Sequence, residues 1–159
     1  MSGAATLLDG GLERADVRAL IAEHLADMRG TSPEESVHAL PDDALAAPGV
    51  HVVTARGEAG ELLGMGALAE REHRGVAWAE LKSMRTREAA RGRGVAAAIL
   101  ERLVDVARKG GYEAVYLETG THAAFAAAHR LYERHGFEAV GPFGDYAEDP
   151  HSAFYRLAL

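Results

Sequence analysis

Three features of this 159-residue sequence are equipped for chemistry. The first is the run Arg91-Gly92-Arg93-Gly94-Val95-Ala96-Ala97, where two glycines one residue apart open a good helix. Glycine weakens a helix, so a pair at the threshold points to backbone that must face something. A helix start offers unpaired N–H groups and a positive dipole end, and both suit an anion. The second feature is a pair of strand carboxylates, Glu80 in AELKSMRT and Glu118 at the end of AVYLET. Either could accept a proton as a general base, directly or through water. Glu80 also stands two residues from Lys82, where an ion pair along one strand face is the plainer reading. The third is Tyr132, which shares a helix side with Phe125 and Ala128, next to a stripe of Ala124, Ala127 and Leu131. That places it at the edge of a buried face, its ring packed and its hydroxyl within reach of a cleft.

Composition narrows the classes. The chain is 48% hydrophobic and 26% charged, as expected of one globular domain over residues 1–159. Its net charge of −7 argues against general nucleic-acid binding. The apolar runs are too short to cross a bilayer, and MSGAATLLDGG does not read as a secretion signal, so no membrane partner is expected and the cytoplasm is the default. Absence of cysteine excludes disulfides, thiolate zinc sites and a thiol acyl-enzyme. The eight histidines form no H-x-x-x-H or H-E-x-x-H, and no metal is expected. Within this acidic chain, KSMRTREAARGR (82–93) carries Lys82, Arg85, Arg87, Arg91 and Arg93 against Glu88 alone. A basic stretch beside a glycine turn suits a polyanionic small ligand, whereas without the glycines a solvated loop is the better reading.

The elements that must hold these residues follow from periodicity and punctuation. LERADVRALIAEHLADMRG reads as an amphipathic helix ended by Gly30, with Ser32 and Pro33 opening a second, short one. VHVVTAR and LLGMGALAE form a hairpin about GEAGE, and GVAWAELKSMRT is a further strand. A helix follows the glycines and stops at KGG. Next come the strand AVYLET, a helix over about 123–135 closed by Gly136, and the strands EAVGPF and SAFYRLAL. This order describes an α/β (α+β) fold: a mixed, largely antiparallel sheet flanked by helices, with one β-α-β crossover.

Three anion sites compete for the glycines. A P-loop fails because no G-K-[ST] is present. Gly92, Gly94 and Ala97 spell G-x-G-x-x-A, yet the dinucleotide fingerprint requires an apolar strand directly before it, and here polar RTREAAR intervenes. The third reading fits both pattern and context. Arg91 to Ala96 matches [RQ]-x-x-G-x-[GA] and resembles the coenzyme A pyrophosphate loop of the GNAT superfamily of N-acetyltransferases. The preceding strand, the helix, AVYLET and AAHRLYERHGF follow that family's motif order from about residue 76 to 140. The last of these resembles A-x-x-L-Y-x-x-x-G-F through Ala128, Leu131, Tyr132, Gly136 and Phe137. An asparagine common in the family near the start of the last helix is absent from THAAFAAAH, leaving Thr121 or His129 to replace its pantetheine contact.

The resemblance implies acetyl-CoA as acyl donor. Backbone N–H groups of residues 92–97 would hold the pyrophosphate, with Arg91 and Arg93 adding charge or pointing to solvent. It also implies a strand bulge whose main chain, at Met84, Arg85 and Thr86, binds the pantetheine and thioester. Direct transfer to a primary amine follows, with Glu80 or Glu118 as base and Tyr132 as general acid. Acceptor contacts are expected from FGDYAEDPHSAFY, whose Asp145, Glu148 and Asp149 suit a cationic amine, or from Arg71 and Arg74, which suit a carboxylate. A small amine or amino-acid-like acceptor is expected, and the family's frequent homodimers carry that expectation as well. The competing class is a non-catalytic coenzyme A-binding or regulatory module.

Overall fold

A computed structural model describes residues 5–33, 38 and 40–159. A single seven-stranded sheet in the order β1-β2-β3-β4-β5-β7-β6 organises the chain. Its strands are β1 (Thr6–Asp9), β2 (Val50–Arg56), β3 (Leu62–His73), β4 (Val76–Thr86), β5 (Ala114–Gly120), β6 (Glu138–Val140) and β7 (Ser152–Ala158). Every neighbouring pair is antiparallel except β4 and β5, which run parallel because helix α3 (Val95–Lys109) carries the chain between them. That is the expected architecture, with β3 longer than expected: it continues into the stretch read as a separator and turns at Arg74 and Gly75 into β4. Strand β1 was not expected, and it lies on the outer edge of β2.

Two apolar cores cover the two faces of the sheet. Helix α3 places Ile99, Leu100, Leu103 and Ala107 at helical spacing, all fully buried, on a sheet face formed by Val53, Ala79, Leu81, Val115 and Leu117. Each large side chain so buried contributes roughly 1.5–3 kcal/mol. Helix α4 (Ala126–Arg134), entered through the 3₁₀ turn Ala123–Phe125, packs on this same face through Leu131 and Tyr132. The stripe Ala124–Ala127–Leu131 is corrected here. Ala124 and Ala127 are exposed, and the buried line runs through Leu131 and Tyr132 because the first turn is 3₁₀ and shifts the helical phase.

Helix α1 (Ala15–Thr31) and the one-turn helix α2 (Asp42–Leu45) close the opposite face with Val17, Leu20, Ile21 and Leu45 on Val52, Met65 and Ala67. Gly30 lies inside α1 rather than ending it, and Ser32 follows as the terminal residue, its N–H donating to the Met28 carbonyl. The short helix expected after Pro33 falls on residues outside the described ones. Buried Arg56 of β2 fastens α1 through a two-pronged pair with Asp16, at 2.6 and 3.0 Å. Hydrogen bonding to that guanidinium holds the Asp16 carboxyl down at about 2.

Candidate active site

Strands β4 and β5 pair only at Ala79–Val115, Glu80–Tyr116 and Leu81–Leu117. Beyond that point β4 continues beside β3, and β5 beside β7, so the sheet opens between them. A bulge marks the same place. Met65 pairs with Arg85 and Ala67 with Lys82, so three steps on β4 face two on β3. Ser83 takes a left-handed φ of 55° there, a conformation that costs a residue with a Cβ about 1–2 kcal/mol. Opposite it, a Cβ on Gly66 would lie 2.5 Å from the Met84 sulfur and 2.8 Å from Ile99, so only glycine lets Met84 pack. The bulge was expected at residues 84–86 and falls at Ser83 and Met84. The Met84 side chain packs against the α3 core, while Glu23 and Asp27 of α1 hold the Arg85 guanidinium.

A cavity of about 100 Å³ fills the opening. Its lining comes from both layers: His24 and Met28 of α1 on one side, Phe125, Ala128 and Tyr132 on the other, with Met84 and Glu118 between them. The cavity therefore spans the sheet at the one place where two neighbouring parallel strands part. Glu118 receives a hydrogen bond from the Ser152 hydroxyl at 2.8 Å, and burial raises its pKa despite that bond. Burial also pushes the Tyr132 phenol well above its usual value, and the charge of Glu118 adds to the shift. Tyr132 is thus buried at 6% exposure rather than lying at the edge of the face, and it still lines the cavity.

Glu80 is placed differently. Only 3% exposed, it accepts hydrogen bonds from Arg71 at 3.2 Å, from Lys82 at 3.2 Å and from the Tyr146 hydroxyl. Lys82 also donates to Tyr146 and to the His38 carbonyl. This network borders a second cavity, of about 530 Å³, formed by β3, β4, β5 and the connection between β6 and β7. His38 lines both cavities. Tyr146, His38 and His24 were missed from the sequence. For His24 a signal exists, because it stands three and four residues from Ile21, Leu20 and Met28 on the apolar side of α1. Burial holds its imidazole down at about 4, and its Nδ1 has no partner among the described residues.

At the glycine turn, Gly92 and Gly94 both take φ 77°, and a Cβ on either would meet nothing within 4 Å. Gly94 occupies the N-cap of α3 with no side-chain cap. Among the described residues, no backbone carbonyl accepts from the N–H groups of residues 92–97, the first such bond being Ala98 to Gly94. The turn is an open, amide-lined cradle at a helix start, flanked by exposed Arg91 and Arg93. Its neighbours Val95, Ala96 and Ala97 begin the helix. Thr121 and His129, considered as pantetheine contacts, are bonded within the chain: the Thr121 hydroxyl to the Pro150 carbonyl and the His129 ring to the Gly120 carbonyl, both at 2.8 Å.

An open amide cradle, a bulged strand and a cavity where the sheet splays thus lie along one side of β4 and the start of α3. Residues 17–137 match the model of the acetyltransferase (GNAT) family. The uncharacterized N-acetyltransferase YsnE of Bacillus subtilis is 44% identical over 143 residues, covering 90% of this chain and 92% of its own. A Klebsiella pneumoniae structure, provisionally described as an acyl-CoA N-acyltransferase, superposes with a TM-score of 0.76 at 29% identity, over 98% of this chain and 97% of that one. A Bacillus subtilis acetyltransferase solved in complex with CoA shares the fold with a TM-score of 0.65 at 16% identity, over 98% and 99%. The chain belongs to the GNAT acetyltransferase family and is an acyltransferase that uses acetyl-CoA.

Proposed function

We propose that the chain transfers the acetyl group of acetyl-CoA directly to a primary amine of a small molecule or amino-acid-like acceptor, with no acyl-enzyme. The observation that carries this reading is the cavity at the parting of β4 and β5, which has a carboxylate and a phenol on its walls and draws its lining from elements on both faces of the sheet. Residues 92–97 fit the pyrophosphate: their amides are free, and the Cβ positions of both glycines point into open space. Arg91 and Arg93 add charge at its rim. Main-chain groups of Met84, Arg85 and Thr86, set off by the bulge, fit the pantetheine arm and the thioester carbonyl. An amide donor held at a developing oxyanion contributes about 3 kcal/mol.

The step itself is balanced within the site. A neutral amine nitrogen forms the C–N bond as the C–S bond breaks; its proton passes to a base and the thiolate receives one from an acid. Of the two carboxylates, Glu118 is favoured as base because it lines the reacting cavity and its raised pKa brings it nearer neutrality. Glu80, held by Arg71, Lys82 and Tyr146, suits a role in positioning that network. Tyr132 is the acid. Protonation of Glu118 by the amine would remove the charge that helps raise the Tyr132 pKa, so the base would ready the acid. The test is release of free thiol from acetyl-CoA across a panel of primary amines. Amine-dependent release supports the reading; tight acetyl-CoA binding with no release for any amine would leave a non-catalytic coenzyme A-binding module.

A further inference from the structure

One titratable group on the walls of the reacting cavity has no task in the transfer. Glu118 and Tyr132 are the proposed base and acid. Lys82 is committed to Glu80, to the Tyr146 hydroxyl and to the His38 carbonyl, and the His38 ring stands edge-on to Tyr146 with 4.9 Å between ring centres. His24 remains. It begins a stripe that runs at four-residue spacing through Met28 to the terminal Ser32, and all three line the cavity. Its seat is fixed from β4. Arg85 bonds both of the carboxylates that flank His24 on α1, Glu23 at 2.7 Å and Asp27, which pins this turn of the helix to the strand just past the bulge.

The two ring nitrogens of His24 differ. Nδ1 is sealed and unbonded, whereas Nε2 is neither sealed nor bonded among the described residues. Burial, aided by Arg85 and opposed by Asp27 and Glu23, keeps the imidazole neutral at neutral pH, so one nitrogen carries the hydrogen and the other a lone pair. Arg85 decides which. Its own Nε–H is a buried donor without a partner, and its positive charge is felt at the ring. A second orphaned N–H at Nδ1 would be repelled there, while a lone pair is attracted. The hydrogen therefore sits on Nε2, the nitrogen left open. A donor of this kind suits one of the reacting atoms. The amine nitrogen must lose a proton and the sulfur must gain one. The carbonyl oxygen takes on charge as the C–N bond forms and gives it back as the C–S bond breaks. A neutral imidazole N–H can hold that oxygen without surrendering its proton.

We propose that His24 is a further catalytic residue, its Nε2–H donating to the thioester carbonyl oxygen alongside the main chain at the bulge. The proposal rests on the acyl-transfer reading of the same cavity, and two measurements on the full chain separate them. The first is kinetic, with the best amine of the thiol-release panel. His24→Leu should lower kcat about a hundredfold with acetyl-CoA affinity kept within threefold. Glutamine and asparagine tell the nitrogens apart, since the Gln amide nitrogen reaches the place of Nε2 and the Asn one that of Nδ1. His24→Gln should restore at least tenfold of the loss, and His24→Asn should not. Melting curves at pH 7 confirm that each variant is folded. The second measurement needs no amine: infrared difference spectra of bound acetyl-CoA labelled with carbon-13 at the carbonyl. Binding to the wild type should lower the carbonyl stretch, His24→Leu should lose at least half of that shift, and His24→Gln should keep it. Unchanged kcat and carbonyl frequency in His24→Leu overturn the assignment and leave acyl transfer standing. A glutamine variant as slow as the leucine one also overturns it, making His24 a proton carrier or a wall of the cavity. A carbonyl shift that depends on His24 with no amine turned over supports the donor and removes the transfer.

Discussion

Glu118 and Tyr132 line one cavity from different elements, and the charge of the first raises the pKa of the second. They stand on a strand and a helix joined by a short turn, and the open seam between β4 and β5 gives both the same small volume. A carboxylate and a phenol that sense each other's protonation suit the proposed roles of base and acid, in which one takes a proton from a reactant and the other supplies one.

Replacing Tyr132 with Phe keeps the ring in its packing against Phe137 and Tyr155 and removes only the hydroxyl. We expect kcat to fall roughly ten- to a thousandfold with little change in acetyl-CoA affinity. Steady-state kinetics and a direct titration of acetyl-CoA on both proteins check it. Full activity removes the acid role; lost affinity makes Tyr132 a binding residue instead.

Glu118→Gln and Glu80→Gln separate the carboxylates. Loss of the base should lower kcat about a hundred- to ten-thousandfold and abolish the acid limb of the pH–rate profile. In the wild type that limb should lie above the ordinary glutamate range, because burial raises the Glu118 pKa. A carboxyl raised in the fold is stabilising while protonated and loses that contribution as pH climbs through its folded pKa. Glu118→Gln should therefore not reduce stability at neutral pH. Glu80→Gln breaks charged hydrogen bonds from Arg71 and Lys82 and should lower the melting temperature more. If Glu80→Gln instead removes the acid limb and Glu118→Gln keeps it, the roles exchange.

The sheet was legible because its signals are local: alternating or continuous apolar runs bounded by glycine turns, and α3 with its apolar stripe. Strand β1 was not. Its four residues carry only Leu7 and Leu8, and what marks it as a strand is pairing with β2, including the contact of Asp9 with His51 at 3.0 Å. The glycine turn could be read because two left-handed residues require glycine. The second cavity could not. Trp78 and Tyr116 share a face only through the parallel register that pairs Glu80 with Tyr116, and Phe143 and Tyr146 come from a segment without periodicity. The burial of Tyr132 was misjudged for a similar reason, since one 3₁₀ turn rotates the helix that carries it.

Gly94→Val tests the cradle. A side chain at φ 77° costs about 1–2 kcal/mol, but the Cβ meets no protein atom, so the fold should survive with a modestly lower melting temperature. Acetyl-CoA binding should be lost, because the branches occupy the space before the free amides. Calorimetry with acetyl-CoA decides it, and unchanged affinity in a folded variant would reduce the turn to a connector.

The last prediction concerns pH and His24. The unfolded imidazole titrates near 6.5, whereas in the fold burial, aided by Arg85 and opposed by Asp27 and Glu23, holds it at about 4. Between these values the unfolded chain binds the extra proton and the folded one does not, so stability must fall as the pH drops through that window. The shift corresponds to about 3 kcal/mol lost by pH 4. For a domain of this size that is roughly 6–12 °C in melting temperature. His38, also lowered chiefly by burial, tilts the curve in the same direction. His24→Leu fills a similar volume, removes the unpartnered Nδ1 and cannot take up the proton. Melting curves at pH 7 and pH 4.5 should therefore converge in the variant, leaving the part of the slope due to His38 and the carboxylates. A variant that keeps the whole wild-type drop would show that His24 is not the group whose protonation opens the fold.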